Sequence, residues 1–368
     1  MNSRERILRT LNFQSVDRIP LIEWPIRPAT MREWIRQGYP EGMDTEHFFD
    51  LDPWCVSIPI DTGMQPKFTE ETLEVQGPYK IWRDELGAIR KDFINTENPG
   101  FVTRSWLSFA VTDRASFLEM KKRYIAADPI RMPAPDKAKA YGKVLQNSAV
   151  ATHLGIPFLF WQLRDWIGCE NLCMMFYDDP LLVHEMMEFL TDFVIETLQN
   201  RIDLFPVDMV EFKEDMAYKG APMISAKMFH EFMSPHYVRL ISFLRSHGVK
   251  HIYVDCDGYP GELIPEFIEA GVDSMSPVEI AAGNDLLKLR REYPTFGMWG
   301  GIDKRVLAMD KRAVYDEVMG KVPQLIEKGG YVPHIDHAIA HNATLENYMY
   351  YRELLTRVAY GEPVVQPY

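Results

Sequence analysis

The chain has 368 residues, 46% of them hydrophobic, and a formal net charge of −13 from 40 basic and 53 acidic residues. This length allows one large α/β barrel or two smaller domains, and the acidic balance argues against nucleic acid or an anionic membrane as the main partner. The sequence contains neither an 18-residue apolar run nor the apolar core of a signal peptide, so a cytoplasmic protein without membrane spans is expected.

In the first half of the chain, the sequence predicts helices and strands that do not alternate regularly. A helix is expected over residues 3–11, and a β-ribbon over residues 72–75 and 79–84 within irregular loops that cover one end of the fold. Residues 113–145 predict two polar helices separated by a proline-containing segment. The four cysteines make no disulfide framework, and Cys169 and Cys173, four residues apart on one predicted helix face, are expected to pack in the core, with a metal-binding pair as the alternative.

From about residue 148 the pattern becomes regular. Strands are predicted at 149–155 and 208–212, with helices at 158–177, 180–204 and 225–246, the last with Ser225 as N-cap. Further strands and helices alternate to a final helix at 345–359, which implies a parallel sheet. About eight such units favour a single-domain, distorted (β/α)8 TIM barrel: residues 1–100 form an N-terminal helix and irregular cap, and residues 101–368 form most of the barrel. An open doubly wound sheet is the alternative, but no Gly-x-Gly-x-x-Gly follows a strand.

Four consecutive predicted strands end in acidic residues or histidine. They are residues 250–258 (KHIYVDCDG), 272–279 (VDSMSPVE), 295–303 (TFGMWGGID) and 330–337 (GYVPHIDH). Unpaired charge is costly to bury, so these residues do not suit a core. In a barrel all strand carboxyl ends point to one face, where the active site is built. The repetition therefore predicts an active site at this face.

The candidate ligands and catalytic groups come from these strand ends. Carboxylate, thiolate and imidazole suit a divalent metal such as zinc, which gives the metal candidates Asp255, Cys256, Asp257 and His337. The candidate catalytic residues are Asp61, Glu211, Asp215, Glu279 and Asp303.

Structural alternatives stay open for several of these residues. Asp257 and Asp303 could cap the helices that follow them, and Asp255 could pair with Lys213. A backbone hydrogen bond is the alternative for His334. The aromatic side chains Trp24, Trp54, Trp161 and Trp166 could wall an apolar pocket or lie in the core. The two glycines before Asp303 would let a ligand approach the backbone closely.

With these residues assembled, the chain resembles the uroporphyrinogen decarboxylase superfamily over nearly its full length. This superfamily includes the decarboxylase and zinc methyltransferases that move methyl groups to or from a corrinoid protein. The resemblance rests on residues 4–11 (RERILRTL), 17–20 (DRIP), 222–232 (PMISAKMFHEF), 300–303 (GGID) and 329–339 (GGYVPHIDHAI). It implies a single-domain distorted (β/α)8 barrel, in agreement with the pattern above, and a homodimer.

The sequence departs from both branches where their chemistry lies. The decarboxylase carries an Arg-Gln-Ala-Gly-Arg segment for substrate carboxylates, whereas residues 21–27 here are LIEWPIR. The resemblance matches the family aspartate to Asp61 and its late histidine to His337. The methyltransferase branch carries His-x-Cys and a late cysteine as zinc ligands, where this chain has Asp255, Cys256, Asp257 and His337.

Three functional hypotheses follow. The favoured one is a zinc-dependent methyltransferase that moves a methyl group between a small substrate, such as a methoxylated aromatic, and a corrinoid carried on a partner protein. The second is a cofactor-free decarboxylase of a carboxylated aromatic or pyrrole, in which Asp61 stabilises a protonated intermediate and His337 orients a carboxylate. The third is a barrel that binds a corrinoid partner or a small ligand without turnover.

Overall fold

The structure is a computed structural model that describes residues 1–94 and 104–367. Its strands are β1 (Cys55–Ser57), β2 (Glu71–Gln76), β3 (Tyr79–Arg83), β4 (Ile89–Phe93), β5 (Ser105–Ser108), β6 (Ala151–Pro157), β7 (Met209–Lys213), β8 (Ala217–Tyr218), β9 (Ala221–Pro222), β10 (His251–Asp255), β11 (Ser274–Ser276), β12 (Gly297–Trp299) and β13 (Tyr331–Val332). The helices are α1 (Ser3–Leu11), α2 (Pro28–Arg36), α3 (Thr45–Phe48), α4 (Arg114–Lys121), α5 (Pro135–Gln146), α6 (Leu159–Ile167), α7 (Cys169–Asp178), α8 (Pro180–Gln199), α9 (Ala226–Met228), α10 (Ser234–Ser246), α11 (Ile264–Glu269), α12 (Leu286–Glu292), α13 (Lys311–Met319), α14 (Val322–Lys328) and α15 (Leu345–Tyr360).

Seven strands form one parallel sheet in the order β1-β6-β7-β10-β11-β12-β13. Helices separate its consecutive strands from β6 onward, so the predicted α/β alternation and parallel pairing are confirmed. The sheet is buried on both faces, as expected where helices cover one side and the side chains of the curled interior fill the other. A complete eight-stranded barrel is not confirmed.

A segment without regular structure lies at the seam between β1 and β13. The Leu21 carbonyl accepts a hydrogen bond of 3.0 Å from the backbone N–H of Asp52, before β1, and the Glu23 carboxylate accepts one of 3.2 Å from the N–H of Ile335, beyond β13. Pro20 and Pro25 bracket this segment. Because proline has no N–H and restricts its neighbour, the bracketed residues are poorly suited to a continuous ladder.

The family-like N-terminal residues hold α1 against this seam. Arg6 and Arg18 both reach the carboxylate of Asp52, at 2.8 and 2.6 Å, and Arg6 also pairs with Asp17 at 2.9 Å. The arginine partners lower the pKa of the Asp52 carboxyl although burial opposes them. The residues at 4–11 and 17–20 therefore have a structural role here.

The predicted ribbon is part of a larger antiparallel sheet in the order β2-β3-β4-β5. The predicted helix at 3–11 is confirmed, and Ser225 caps α9 by accepting a hydrogen bond from Met228 N–H. The helix expected over 158–177 is two helices, because Gly168 adopts a φ of 88° between α6 and α7. Within the described part of the chain, no helix is long and apolar enough to cross a membrane.

Candidate functional site

A cavity of about 310 Å³ opens beyond the carboxyl ends of β7 and β10. Its lining comes from six separate parts of the chain: Trp24, Pro25, Arg27, Trp161, Asp215, Asp255, Asp257, Pro277, His337 and Ala338. Two tryptophans and two prolines give it apolar walls, and three carboxylates give it an acidic floor. This matches the strand-end face on which the sequence predicted a site.

Asp257 and His337 are in direct contact although 80 residues separate them. The Nε2 atom of His337 lies 3.1 Å from Oδ2 of Asp257. This hydrogen bond, strengthened by the charge of Asp257, raises the pKa of His337 against the opposing effect of burial. The pair can therefore hold or deliver a proton at the cavity.

Asp215 and Asp255 are the other two carboxylates of the cavity. Asp215 Oδ1 accepts a hydrogen bond of 3.0 Å from the backbone N–H of Asp257. Burial raises the pKa of Asp215, and the neighbouring charge of Asp257 adds to the effect. Burial also raises the pKa of Asp255 well above its usual value, with further repulsion from Glu211, Asp257 and Asp215. Like charges crowded into a low-dielectric site oppose one another's ionisation.

Glu211 lies in the sheet interior, next to His153 and Tyr253. Its Oε2 atom is 3.3 Å from Nε2 of His153, which is also 3.1 Å from the hydroxyl of Tyr253. Gly155, on the adjacent strand, makes this possible, since a Cβ there would be 2.9 Å from Glu211 Oε2. The Lys213 ammonium is 3.8 Å from Glu211, and its charge partly offsets the rise in the pKa of Asp255. The predicted site thus extends inward from Asp255.

Glu279 is bound at the edge of the site. Its carboxylate pairs with the Lys304 ammonium at 2.6 Å and accepts a hydrogen bond of 3.1 Å from the N–H of Gly258. Gly258 follows Asp257, so Glu279 helps to fix the loop that carries the cavity carboxylate. The charge of Glu279 also raises the pKa of His337.

Two predicted catalytic residues lie elsewhere. Asp303 caps the short helix at 304–308 by accepting a hydrogen bond of 2.9 Å from Arg305 N–H, as the structural alternative for this residue expected. Asp61 lines a different cleft, with Ile58, Ile60 and Arg131, and accepts 2.7 Å hydrogen bonds from Gly63 and Gln65. Neither residue is among those lining the 310 Å³ cavity.

Cys256 lies on the opposite side of the chain from its two neighbours. Alternate side chains of an extended segment point to opposite faces, so the geometry that brings Asp255 and Asp257 to the cavity turns Cys256 into the apolar core. Burial raises the pKa of its thiol, so that the thiolate needed for metal binding is disfavoured. Cys256, a candidate metal ligand in the sequence analysis, is therefore not among the residues lining the cavity with Asp255 and Asp257.

His334 and Asp336 are completely buried. The His334 ring packs edge-on against Trp24 and Trp54, and its Nδ1 is 2.7 Å from the Ile335 carbonyl oxygen. Burial lowers the pKa of His334 to about 4, so the ring is neutral near pH 7. A Cβ on Gly300 would lie 3.1 Å from this ring, so that glycine makes room for His334.

The sequence analysis did not identify two buried glutamates that hold segments of the fold in place. Glu214 accepts hydrogen bonds from the first N–H groups of α6, at Leu159, Phe160 and Trp161, and one of 2.7 Å from Tyr237. Glu23 accepts from Trp24 N–H, Ile335 N–H and the Tyr351 hydroxyl. Burial raises the pKa of both to about 7. Each fixes a segment bearing a cavity tryptophan, and the sequence carries no local signal for this.

A compact group of metal-type ligands occurs outside the cavity. Within residues 1–94 and 104–367, the only His, Cys, Asp or Glu group with all ligand atoms within 4.8 Å of one another is His230, Glu266 and Glu269. His230 and Glu269 are exposed, and exposed groups of this kind are common without a metal. The predicted ligands Asp255, Asp257 and His337 share a cavity but do not form such a compact group.

The family model described as uroporphyrinogen decarboxylase (URO-D) matches residues 165–358, just over half of the 368-residue chain. The chain belongs to the uroporphyrinogen decarboxylase family. This match confirms the resemblance drawn from the sequence. The matched region of this URO-D family member includes Asp215, Asp255, Asp257 and His337.

The URO-D fold also relates the chain to solved structures. A methyltransferase from Methanosarcina mazei is similar over 97% of this chain and 99% of that one, with a TM-score of 0.59 and 11% sequence identity. A B12-independent methionine synthase from Shewanella sp. W3-18-1 matches 61% of this chain and 64% of its own, with 13% identity and a TM-score of 0.40. The first shows a common fold, and the second is too distant to add to it. No curated protein sequence matches the chain significantly.

Proposed function

We propose that this URO-D family protein is a methyltransferase that takes a methyl group from a small methoxylated aromatic and passes it to a corrinoid carried on a partner protein. The contact between His337 and Asp257 carries the proposal, because it places a proton donor at an apolar-walled cavity. The full-length similarity of fold to a methyltransferase is compatible with this activity.

The cavity favours an aromatic substrate without negative charge. Trp24 and Trp161 provide flat apolar walls, which suit an aromatic ring. The lining includes three carboxyl groups, of Asp215, Asp255 and Asp257, and one arginine, Arg27, so that it offers few cationic partners to a substrate with several carboxylates. Residues 21–27 contain a single arginine, Arg27, which also disfavours a substrate with several carboxylates.

The His337–Asp257 pair supplies the proton that the leaving group requires. An aryl methyl ether that loses its methyl group leaves a phenolate, which is a poor leaving group until its oxygen is protonated. His337, with its raised pKa, donates a proton to that oxygen as the carbon–oxygen bond breaks, and Asp257, which is hydrogen-bonded to Nε2, favours the protonated ring beforehand. The corrinoid supplies the cobalt(I) electron pair that accepts the methyl group. The products are a phenol and a methylated carrier.

A divalent metal such as zinc fits the cavity by donor type. Asp255, Asp257 and a neutral His337 would hold it in place of the His337 proton, since zinc accepts carboxylate oxygens and imidazole nitrogens. Burial, and to a smaller extent repulsion between neighbouring carboxylates, raises the pKa values of Asp215 and Asp255, and a cation would relieve the repulsion. When bound, zinc would act as a Lewis acid on the ether oxygen. Cys256 is unsuited to this set because its thiol faces the core.

The decarboxylase alternative requires two residues, and one of them, Asp61, is not among those lining the cavity. Its mechanism joined Asp61 to His337, but Asp61 lines the cleft with Arg131 and binds its own loop. The acidic cavity also disfavours a carboxylated substrate. Arg27, in the cavity lining, is the observation that keeps this alternative open.

Methyl transfer is the decisive assay. Purified protein, a reduced corrinoid carrier and a panel of methoxylated aromatics should give methylcobalamin and the matching phenol in equal amounts, followed by absorbance and chromatography. The panel should include the corresponding carboxylated aromatics without a methoxy group. Carbon dioxide release from those, with no methyl transfer from any ether, would replace this proposal with the decarboxylase.

Metal content can be measured in parallel by elemental analysis. If Asp257 and His337 hold a zinc ion, Asp257→Ala and His337→Ala should each retain much less metal than the wild type after dialysis. Equal retention in all three proteins would reject this ligand set and leave the proton-donor role to be tested by the transfer assay.

A further inference from the structure

A second group of potential ligands lies between α7 and the segment after β9. Cys169 is the first residue of α7, and Cys173 is one turn later on the same face. Their thiols are hydrogen-bonded to each other. Across the gap, Met223 places its Sδ atom 3.4 Å from Cys169 Sγ and its carbonyl oxygen 3.9 Å from Cys173 Sγ. Three sulfur atoms from two elements therefore converge.

We propose that Cys169, Cys173 and Met223 form a binding site for one soft metal ion of the Cu(I) class. Two thiolates and a thioether are soft ligands, which select Cu(I) over hard cations. Metal–sulfur bonds of about 2.3 Å in a trigonal arrangement require sulfurs roughly 4 Å apart. The Cys169–Met223 separation of 3.4 Å is close to that spacing, so binding requires only a small outward movement of the side chains.

Access and surroundings agree with this assignment. Both cysteines are half-buried, so an ion can reach them, whereas Cys256 is fully buried. The next turn of α7 brings Tyr177 to this side, where its hydroxyl donates a hydrogen bond to Met228 Sδ at 3.5 Å. Sulfur-containing side chains, of Met223 and Met228, therefore lie beside α7 along two of its turns. Zinc fits this site less well, because it is tetrahedral and takes nitrogen and oxygen donors beside thiolates.

Copper(I) competition tests the site directly. Reduced, metal-free protein is titrated without oxygen against the coloured complex of Cu(I) with bathocuproine disulfonate, and the loss of colour reports transfer. Wild type should withdraw one Cu(I) per chain. Cys169→Ser and Cys173→Ser should each weaken binding by about 100-fold or more, because even outer-sphere partners of metal ligands contribute roughly 10–100-fold. Met223→Leu should have a smaller effect.

Cys55→Ser is the matched control, since Cys55 is another partly exposed cysteine and lies away from α7 on β1. It should bind like the wild type. Equal Cu(I) uptake by wild type and Cys169→Ser, or no uptake by wild type, would overturn the proposal. An unchanged affinity in Met223→Leu would also overturn the three-sulfur set.

A measurement on the wild type avoids dependence on folded variants. Cu(I) should protect Cys169 and Cys173 from iodoacetamide, as read by mass spectrometry of peptides, and leave the alkylation of Cys55 unchanged. Uniform protection of all reactive cysteines, or none, would contradict a defined site. If the pair is instead only a thiol–disulfide couple, mild oxidant will protect both cysteines while Cu(I) will not, which also overturns the proposal.

Discussion

Two sets of ionisable side chains differ in the donors that meet them. The cavity set comprises Asp215, Asp255, Asp257 and His337. The amide-bound set comprises Glu23, Glu214 and Asp336, each of which accepts hydrogen bonds from two or more backbone N–H groups, whereas Asp215 accepts one. In the part of the chain that is described, no hydrogen bond reaches the Asp255 carboxylate. Strand-end position alone therefore does not separate a reactive carboxylate from a structural one, whereas the donors around it do.

The difference arises because unsatisfied backbone amides are costly when buried. Each member of the amide-bound set satisfies donors at a helix start or loop that would otherwise lack partners. Asp336 serves Ile280 and Lys304 in this way, at 2.8 and 3.1 Å. The cavity set has carboxylate oxygens left for substrate, proton or cation. Substitution of the two sets should therefore produce opposite effects on activity and stability.

The largest expected effect is the loss of methyl transfer in His337→Gln. Removal of a positioned proton donor should lower kcat by about 10²–10⁴-fold, the usual contribution of such a group. Asp257→Asn should also lower kcat and shift the pKa of His337 downward, measurable by NMR titration of the ring. Thermal unfolding of both variants should stay close to that of the wild type, since the Asp257 carboxylate is 40% exposed.

A second histidine–carboxylate pair provides the control for this experiment. His247 Nδ1 is 2.7 Å from Asp203 Oδ1 at the surface, after α10. His247→Gln should leave kcat unchanged. If it reduces methyl transfer as much as His337→Gln does, the effect is not specific to the cavity, and the assigned role of His337 is wrong.

Glu214→Ala should reverse this pattern. The variant leaves three amides of α6 and the Tyr237 hydroxyl without their acceptor. Since each buried donor left unpaired costs about 1–3 kcal/mol, we expect a loss of roughly 3 kcal/mol or more in the free energy of unfolding, measured in urea. Asp257→Ala is the matched comparison and should lose little. Similar losses in both would remove the distinction between the two sets.

The pH dependence of Glu214→Gln tests the same carboxyl. Burial raises the pKa of Glu214 from 4.5 to about 7, so the folded protein holds this proton more tightly than the unfolded chain. The resulting stability is present below pH 4.5 and lost as pH rises through 7. Glutamine does not titrate, so the variant should be more destabilised, relative to wild type, at pH 5 than at pH 8. The difference is up to about 3 kcal/mol, at 1.36 kcal/mol per pKa unit.

The difference between the wild type and Glu214→Gln reports on the Glu214 carboxyl. Burial lowers the pKa values of His251 and His334 to about 4, but these two residues titrate alike in both proteins. Urea unfolding at several pH values gives the two curves. A destabilisation that is constant from pH 5 to pH 8 would mean that Glu214 is ionised throughout.

The smallest expected effect concerns Asp303, which the sequence suggested as catalytic and the structure places as an N-cap. Asp303→Ala should reduce the free energy of unfolding by about 1 kcal/mol, the typical value for a lost cap. Asp303→Asn, which preserves the cap, should be nearly neutral, and methyl transfer should survive in both. A large fall in kcat for Asp303→Asn would restore a catalytic role for this carboxylate.

Local signals in the sequence carried much of the fold and part of the site. Periodicity, caps and turn residues predicted α1, the alternating strands and helices after residue 148, and the parallel sheet. The position of Asp255 and Asp257 at the end of one strand, and of His337 beyond another, was sufficient to predict that they meet, since parallel strands share an edge. These properties depend on residues close together in the chain.

The tertiary structure decided what local patterns do not encode. Only packing determined that Cys256 turns into the core, that Asp303 caps a helix, and that Glu23 joins Trp24 to the segment of His337 across 312 residues. A carboxylate's role depends on the donors and charges that surround it, and distant segments supply those.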